Sequence, residues 1–335
     1  TDKGVVDAGL LENVTNKLLK TQIDYFVYDD VEADPSVESV NKASEVFKQE
    51  DCDVVVTVGG GSAIDTAKGI RVLADHGGSI SDYAGAGLVG QASQTPLVAI
   101  PTTSGTGSEV TIFAVYSDWN ENRKITVTSP YLAPNISIVD PKLTMTAPPQ
   151  ITAGSGFDAF AHGAEALVSK GSQPASDALA LSAMNTVNKY LRRAVFDGED
   201  VEARIGMAEA SLLAGMAFNQ SYLGLTHAIG SALSGHAHVS HGVAIGLLLP
   251  AVIEYNSISC LNKYSQMAGV FRQPEPFLTD REIVSQLVED VTLLRNDIGL
   301  PQRLQEVGVK KEQLENIAKD SVKSGMWKFN PRKAS

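Results

Sequence analysis

The sequence predicts an α/β first half built on a parallel, helix-covered sheet, followed by an all-helical second half. Three observations carry this. The 335 residues exceed one typical domain. The first half alternates β-branched runs with helix-like segments, the mark of strands joined by crossover helices. Beyond Thr146-Ala147-Pro148-Pro149 the β-branched runs stop and Ala/Leu-rich periodic segments take over. The Pro-Pro pair is the natural boundary, dividing residues 1–147 from 148–335.

In order, Asp24–Asp29 reads as a short strand and Ser36–Gln49 as a polar, periodic helix. Asp53–Val58 is a β-branched run expected to be buried on both faces. Ser62–Leu73 follows as a helix after a glycine turn, and Pro96–Ile100 and Ile136–Val139 are two more strands. In the second half, Ala175–Leu191, Val201–Ala217 and Arg281–Asp297 are helices. Val243–Leu249 is ambiguous by periodicity and is read as a buried helix because its neighbours are helical.

Composition narrows the function. A chain with 43% hydrophobic and 20% charged residues is globular rather than disordered. A net charge of −12 argues against nucleic acid, whose phosphates call for clustered Lys and Arg. There is no basic amphipathic run for a membrane surface, and no span of about 18 apolar residues is evident, so no bilayer crossing is expected. Cys52 and Cys260 are far apart and read as unpaired thiols of a cytoplasmic protein.

Three motifs carry chemistry. In Val58-Gly59-Gly60-Gly61-Ser62 a strand runs through glycines into a helix, so backbone N–H groups and a helix N-terminus can meet a phosphate. The pattern is neither G-x-G-x-x-G nor a P-loop. Thr102 to Ser108 is an unbroken row of hydroxyl and glycine residues after a strand end, where α/β sheets bind ligands. Asp158 and His162, four apart on a helix, share one face and can hold one divalent cation. His227 and His241 would complete three nitrogens and one oxygen, a mixture that suits Zn²⁺ or Fe²⁺. His236 and His238 compete with them, and spacing does not separate the candidates.

With those residues in view, the chain resembles the iron-containing (group III) alcohol dehydrogenases over nearly its whole length. The likeness rests on Gly59-Gly60-Gly61-Ser62-x-x-Asp65, Pro101-Thr102-Thr103-x-Gly105-Thr106-x-x-Glu109, Gly156-Phe157-Asp158-x-x-x-His162, and His227 with His241-Gly242. The resemblance implies a dehydroquinate synthase-like two-domain fold: an N-terminal Rossmann-like NAD-binding domain and an all-α C-terminal domain, with the active site in the cleft between them. It selects Asp158, His162, His227 and His241 as ligands of Fe²⁺, with Zn²⁺ as the alternative. It places Gly59, Gly60, Gly61 and Ser62 at the pyrophosphate of NAD, and Thr102, Thr103 and Thr106 around its phosphate and nicotinamide. Lys124 falls near the nicotinamide ribose and Leu143 on the adenine side. Asp2 matches an acidic residue favouring NAD over NADP, since a carboxylate accepts ribose hydroxyls and repels a 2′-phosphate.

The implied activity is reversible hydride transfer between a small primary alcohol or diol and its aldehyde, in an enzyme that can form a homodimer. Family members begin about forty residues earlier and continue further, so the chain is expected to be part of a longer protein. Many also carry a histidine four residues after the third ligand, where Ser231 stands here. Ser231 or His236 is then the expected proton relay, and Phe113, Phe157, Leu223 and His236 are the expected pocket positions. Two other readings share the scaffold: a glycerol dehydrogenase- or dehydroquinate synthase-like enzyme, and a catalytically impaired metal- or nucleotide-binding relative.

Overall fold

The computed structural model describes residues 1–121, 123–273 and 276–334. The chain forms two compact units, one comprising Thr1–Thr103 and Ser108–Thr146, the other Ser104–Gly107 and Ala147–Ser335.

The first unit runs α1 (Lys3–Asp7), α2 (Glu12–Lys20), α3 (Val37–Gln49), β1 (Val55–Gly59), α4 (Gly61–His76), β2 (Gly85–Ala86), β3 (Leu97–Pro101), β4 (Phe113–Asp118), β5 (Arg123–Thr128) and β6 (Ile136–Ser137). Strands β1, β3 and β6 pair in parallel in that order, with Val55 opposite Leu97 and Val98 opposite Ile136. Helix α3 starts where Ser36 caps it by accepting from the Ser39 N–H, and its apolar face packs with α4 over the sheet. A second sheet has the order β2-β5-β4, with β4 and β5 antiparallel. Tyr116, Val127, Val40 and Ile80 fill the core beneath it.

Two strand expectations need correction. Asp24–Asp29 lies in no strand. The Tyr28 carbonyl accepts from the Thr1 nitrogen and the Val58 carbonyl from the Thr1 hydroxyl, contacts of a single residue that make no ladder. Strand β1 is also not buried on both faces. Val55, Thr57 and Val58 are covered, but Val56 is 39% exposed, because Val5, Leu10 and Leu143 shield only the carboxyl end of that face.

The second unit runs α5 (Pro149–Val168), α6 (Pro174–Phe196), α7 (Val201–Ser221), α8 (Leu225–Ala237), α9 (His241–Asn256), α10 (Leu261–Ala268), α11 (Asp280–Asp297) and α12 (Leu314–Ser321). Pro149 opens α5 at a position whose N–H has no intrahelical partner. Helix α5 is buried along almost all its length and packs on α6, α7 and α9. At its crossing with α9 the Gly154 backbone leaves no room for a side chain on Gly242. Contrary to the sequence expectation, His241–Ser259 is long and apolar enough, by length and composition, to cross a membrane. In this unit that stretch contains Pro250 and Glu254 and packs against α5, α8 and α11.

Candidate metal centre

Helix α5 brings Asp158 and His162 to one buried face, one turn apart. His227 comes from the first turn of α8, and His241 is the first residue of α9. Three imidazoles aim Nε2 at a single oxygen, Asp158 Oδ1: His227 at 3.2 Å, His241 at 3.7 Å and His162 at 3.8 Å. One donor atom each from Asp158, His227 and His241 lie within 4.8 Å of one another, a spacing one cation can bridge. The His162 ring is stacked between Phe218 and His227, with ring centres 4.4 and 4.6 Å away.

The outer ring nitrogens set these orientations. His162 Nδ1 lies 3.1 Å from the Gly105 carbonyl, an acceptor, so Nδ1 carries the proton and Nε2 is left for the centre. Gly105 can approach because a Cβ there would fall 2.4 Å from the Ser155 carbonyl oxygen. His227 Nδ1 lies 2.7 Å from the Glu165 carboxylate. Nothing in the sequence spacing had singled out Glu165. Its signal is weak: it follows Asp158 by seven residues and His162 by three, on the same helical stripe.

Without a cation the groups polarise one another. Burial alone would lower the His227 pKa, but hydrogen bonds to Asp158 and Glu165 win and raise it to about 9. Burial lowers His162 to about 4 against the pull of Asp158. For Asp158 burial acts upward, yet the imidazoles of His162, His241 and His227 hold it well below the usual carboxylate range. Three imidazole nitrogens and one carboxylate oxygen, with two rings pre-oriented, fit Zn²⁺ or Fe²⁺. The His241 side chain is 37% exposed and the others nearly buried, so one side of the centre stays open to solvent.

The competing histidines lie elsewhere. His236 Nε2 is 2.6 Å from Asp320 Oδ2. It follows His227 by nine residues, about half a turn round α8, and so faces away from it. That position argues against His236 as proton relay or pocket residue. His238 takes the left-handed C-cap of α8 with φ 52°. Ser231 stays on the His227 face, one turn on. Phe157 is fully buried against Phe160, in the core rather than lining a pocket.

In the first unit, the glycine turn joins β1 to α4. A Cβ on Gly59 would fall 2.5 Å from that of Ala63 and 3.5 Å from Asp2 Oδ2, so the turn is backbone-only with a carboxylate beside it. Asp2 Oδ1 caps α1 through the Val5 N–H, and its Oδ2 lies on the side of Gly59. The Thr102 N–H donates to the Gly59 carbonyl, and the Thr103 hydroxyl faces Gly60. Ser62 accepts from the Asp34 N–H, and Lys124 is held by Asp34 and Ser117, each at 2.9 Å. Leu143 packs with Val58 and Ile100. In the second unit, the Ser104 hydroxyl is shielded from solvent with no hydrogen-bond partner among the described residues. The bare turn and the carboxylate beside it, both in the first unit, fit a ligand with phosphate and hydroxyl groups.

Residues 1–141 match the family model described as iron-containing alcohol dehydrogenase, and residues 152–335 match that of the Fe-containing alcohol dehydrogenase family, C-terminal. The chain is 36% identical over 335 residues to the NAD-dependent methanol dehydrogenase of Bacillus methanolicus, covering 100% of this chain and 88% of that protein. It is 38% identical to the choline dehydrogenase of Bacillus subtilis, covering 99% and 83%. Its structure resembles the crystal structure of a 1,3-propanediol oxidoreductase with a TM-score of 0.96 and 38% identity, covering 100% of this chain and 87% of the other.

Proposed function

The chain belongs to the iron-containing alcohol dehydrogenase family, and from that premise we propose how its residues divide the chemistry. It is an NAD-linked, metal-dependent alcohol dehydrogenase, acting reversibly on small alcohols or diols and the corresponding aldehydes. The observation that carries the reading is the convergence of three imidazole Nε2 atoms on Asp158 Oδ1.

Asp158, His162, His227 and His241 hold the cation, for which Fe²⁺ is the first assignment and Zn²⁺ the second. The cation supplies a Lewis acid that lowers the pKa of the alcohol hydroxyl and, in reverse, polarises the carbonyl. Bound NAD⁺ would supply the hydride acceptor, the balance being alcohol and NAD⁺ to aldehyde, NADH and a proton. Residues 1–147 form the cofactor domain and 148–335 the metal domain. Gly59, Gly60, Gly61 and Ser62 take the pyrophosphate at the start of α4. Thr102, Thr103 and Thr106 offer hydroxyls and amides to the phosphate and nicotinamide side. Lys124 serves the ribose, and Leu143 the adenine side. Asp2 Oδ2, beside the glycine turn, accepts a ribose hydroxyl.

The departing proton is assigned a path relayed by the Ser231 hydroxyl to water, Ser231 sharing the His227 face, in preference to His236, which Asp320 already holds. The net charge of −12 supports a small-molecule substrate over nucleic acid. A cytoplasmic homodimer completes the reading, and the free thiols of Cys52 and Cys260 suit a reducing compartment.

The test is reconstitution. Metal-free protein is loaded with Fe²⁺ without oxygen, or with Zn²⁺, and NADH oxidation is followed with a panel of short aldehydes. Metal-dependent oxidation, lost in His227→Ala, is the expected result. A protein that binds the metal yet oxidises NADH with no aldehyde would overturn the activity. Ser231→Ala should shift the pH–rate profile and His236→Ala should not; the opposite pattern would reassign the relay.

A further inference from the structure

We propose that Glu165 is a positioning residue of the metal centre: it fixes the His227 ring so that Nε2 faces Asp158, and holds the helix turn that carries it. The proposal rests on the metal-binding reading above and adds a group to it.

Asp158, His162 and Glu165 follow one another at four and three residues, so a single stripe of α5 presents all three. The first two aim at the centre. Glu165 reaches instead to the start of α8. Its Oε1 accepts from the Thr226 N–H at 2.6 Å, and its Oε2 from the Gly224 N–H at 3.0 Å and His227 Nδ1 at 2.7 Å. The His227 N–H adds a longer contact at 3.4 Å.

Gly224, the N-cap of α8, has no side chain with which to cap the helix, and a Cβ there would fall 3.1 Å from Glu165 Oε1. A carboxylate from another helix therefore does the capping. Both oxygens are buried and saturated by donors, so Glu165 can only accept. The proton on His227 Nδ1 is thereby fixed, and the Nε2 lone pair is directed inward. Cap and ring clamp are one group, so the backbone turn and the imidazole are aligned together.

Glu165→Gln keeps the size but turns an NH₂ toward N–H donors whichever way the amide sits. Either the α8 cap or the His227 ring then loses its acceptor. Chelator competition on metal-free protein should show Zn²⁺ affinity falling about ten- to hundredfold. The visible spectrum of the Co²⁺ form should shift, and NAD⁺ affinity should be unchanged. A capping role alone would lower thermal stability and leave the Co²⁺ spectrum as it was.

Because the variant can fail to fold, a second measurement uses the wild-type protein. With histidine-labelled, Zn²⁺-loaded enzyme, nuclear magnetic resonance should find a slowly exchanging proton on His227 Nδ1. Equal Zn²⁺ affinities in wild type and folded Glu165→Gln, an unshifted Co²⁺ spectrum, or no Nδ1 proton on His227 would each overturn the proposal while leaving the metal site standing. Wild-type protein that takes up no metal would remove the site and the proposal together.

Discussion

A buried lysine is costly, and Lys68 is fully buried. Its Nζ donates to the Ser108 hydroxyl and the Thr111 carbonyl, both at 3.0 Å, and to the Phe113 carbonyl at 2.6 Å, tying α4 to the segment before β4. Burial lowers its pKa from 10.5 to about 8, with Asp65 and Glu109 pulling the other way. Between those values the folded state has lost a proton that the unfolded chain retains. Unfolding then takes up a proton, and stability rises with pH across that window. The gain is on the order of 3 kcal/mol. Lys68→Met should lack it, so the difference in urea midpoint between wild type and variant should grow in favour of wild type from pH 8 to 10. A flat difference would refute the assignment. Asp2 allows a second test. Ser at this position can still cap α1 but carries no charge to repel a 2′-phosphate. Asp2→Ser should raise kcat/KM with NADP relative to NAD about tenfold, or about 1.4 kcal/mol. At this scale the sequence was uneven. Asp158 and His162 announced themselves by a four-residue spacing on one helix. Glu165 did not, because its partners lie 59 to 62 residues away and only the packing of α5 against α8 joins them.

Elements hold the centre together where backbones touch. A Cβ on Gly242 would fall 2.5 Å from the Gly154 carbonyl carbon and oxygen, and backbone cannot rotate aside as a side chain can. Gly242→Ala must therefore part α5 from α9, at a cost of about 1–3 kcal/mol. The residue displaced first is His241, its neighbour, so metal affinity should fall along with melting temperature. Gly206→Ala is the matched control. Its Cβ would fall 2.2 Å from the Tyr190 ring, a clash between α6 and α7 that should destabilise without weakening the metal. Equal loss of metal affinity in both would show that stability alone governs the site. Helices α3, α4, α6, α7 and α11 were legible because their periodic spacing is local, whereas α1, α2, α8, α10 and α12 were not read, most of them being short. Asp24–Asp29 misled because strand composition cannot tell whether a partner lies alongside. The β4–β5 hairpin was missed because its signals are short: Phe113–Tyr116 is a run of only four apolar residues, and in β5 Ile125 and Val127 alternate with threonines over a similarly short stretch.

At the scale of the whole molecule, the proposed reading assigns the two kinds of ligand to different parts of the chain. The four candidate metal ligands lie in the unit of Ala147–Ser335, while the glycine turn, Asp2 and Lys124 lie in the other. The loop after β3 belongs to both, since Ser104–Gly107 counts with the helical unit and its flanks with the sheet. No local pattern foretells that: hydroxyl and glycine residues read alike wherever they pack, and only the closeness of Gly105 to Ser155 and of Gly107 to Gly215 decides it. A ligand that binds the folded state alone stabilises it by about 2.7 kcal/mol at a hundredfold excess over Kd. Hydrogen exchange should map where that stabilisation falls. Zn²⁺ alone should slow exchange in α5, α8 and α9, and NAD⁺ alone in the turn from β1 to α4. The Gly105 carbonyl faces the candidate ligand His162, and the proposed reading assigns hydroxyls of the same loop to the cofactor, so residues 102–109 should be slowed by either. If Zn²⁺ left that loop unprotected while slowing the three helices, the Gly105–His162 hydrogen bond would contribute nothing to the metal-bound state. The loop would then answer to the cofactor alone.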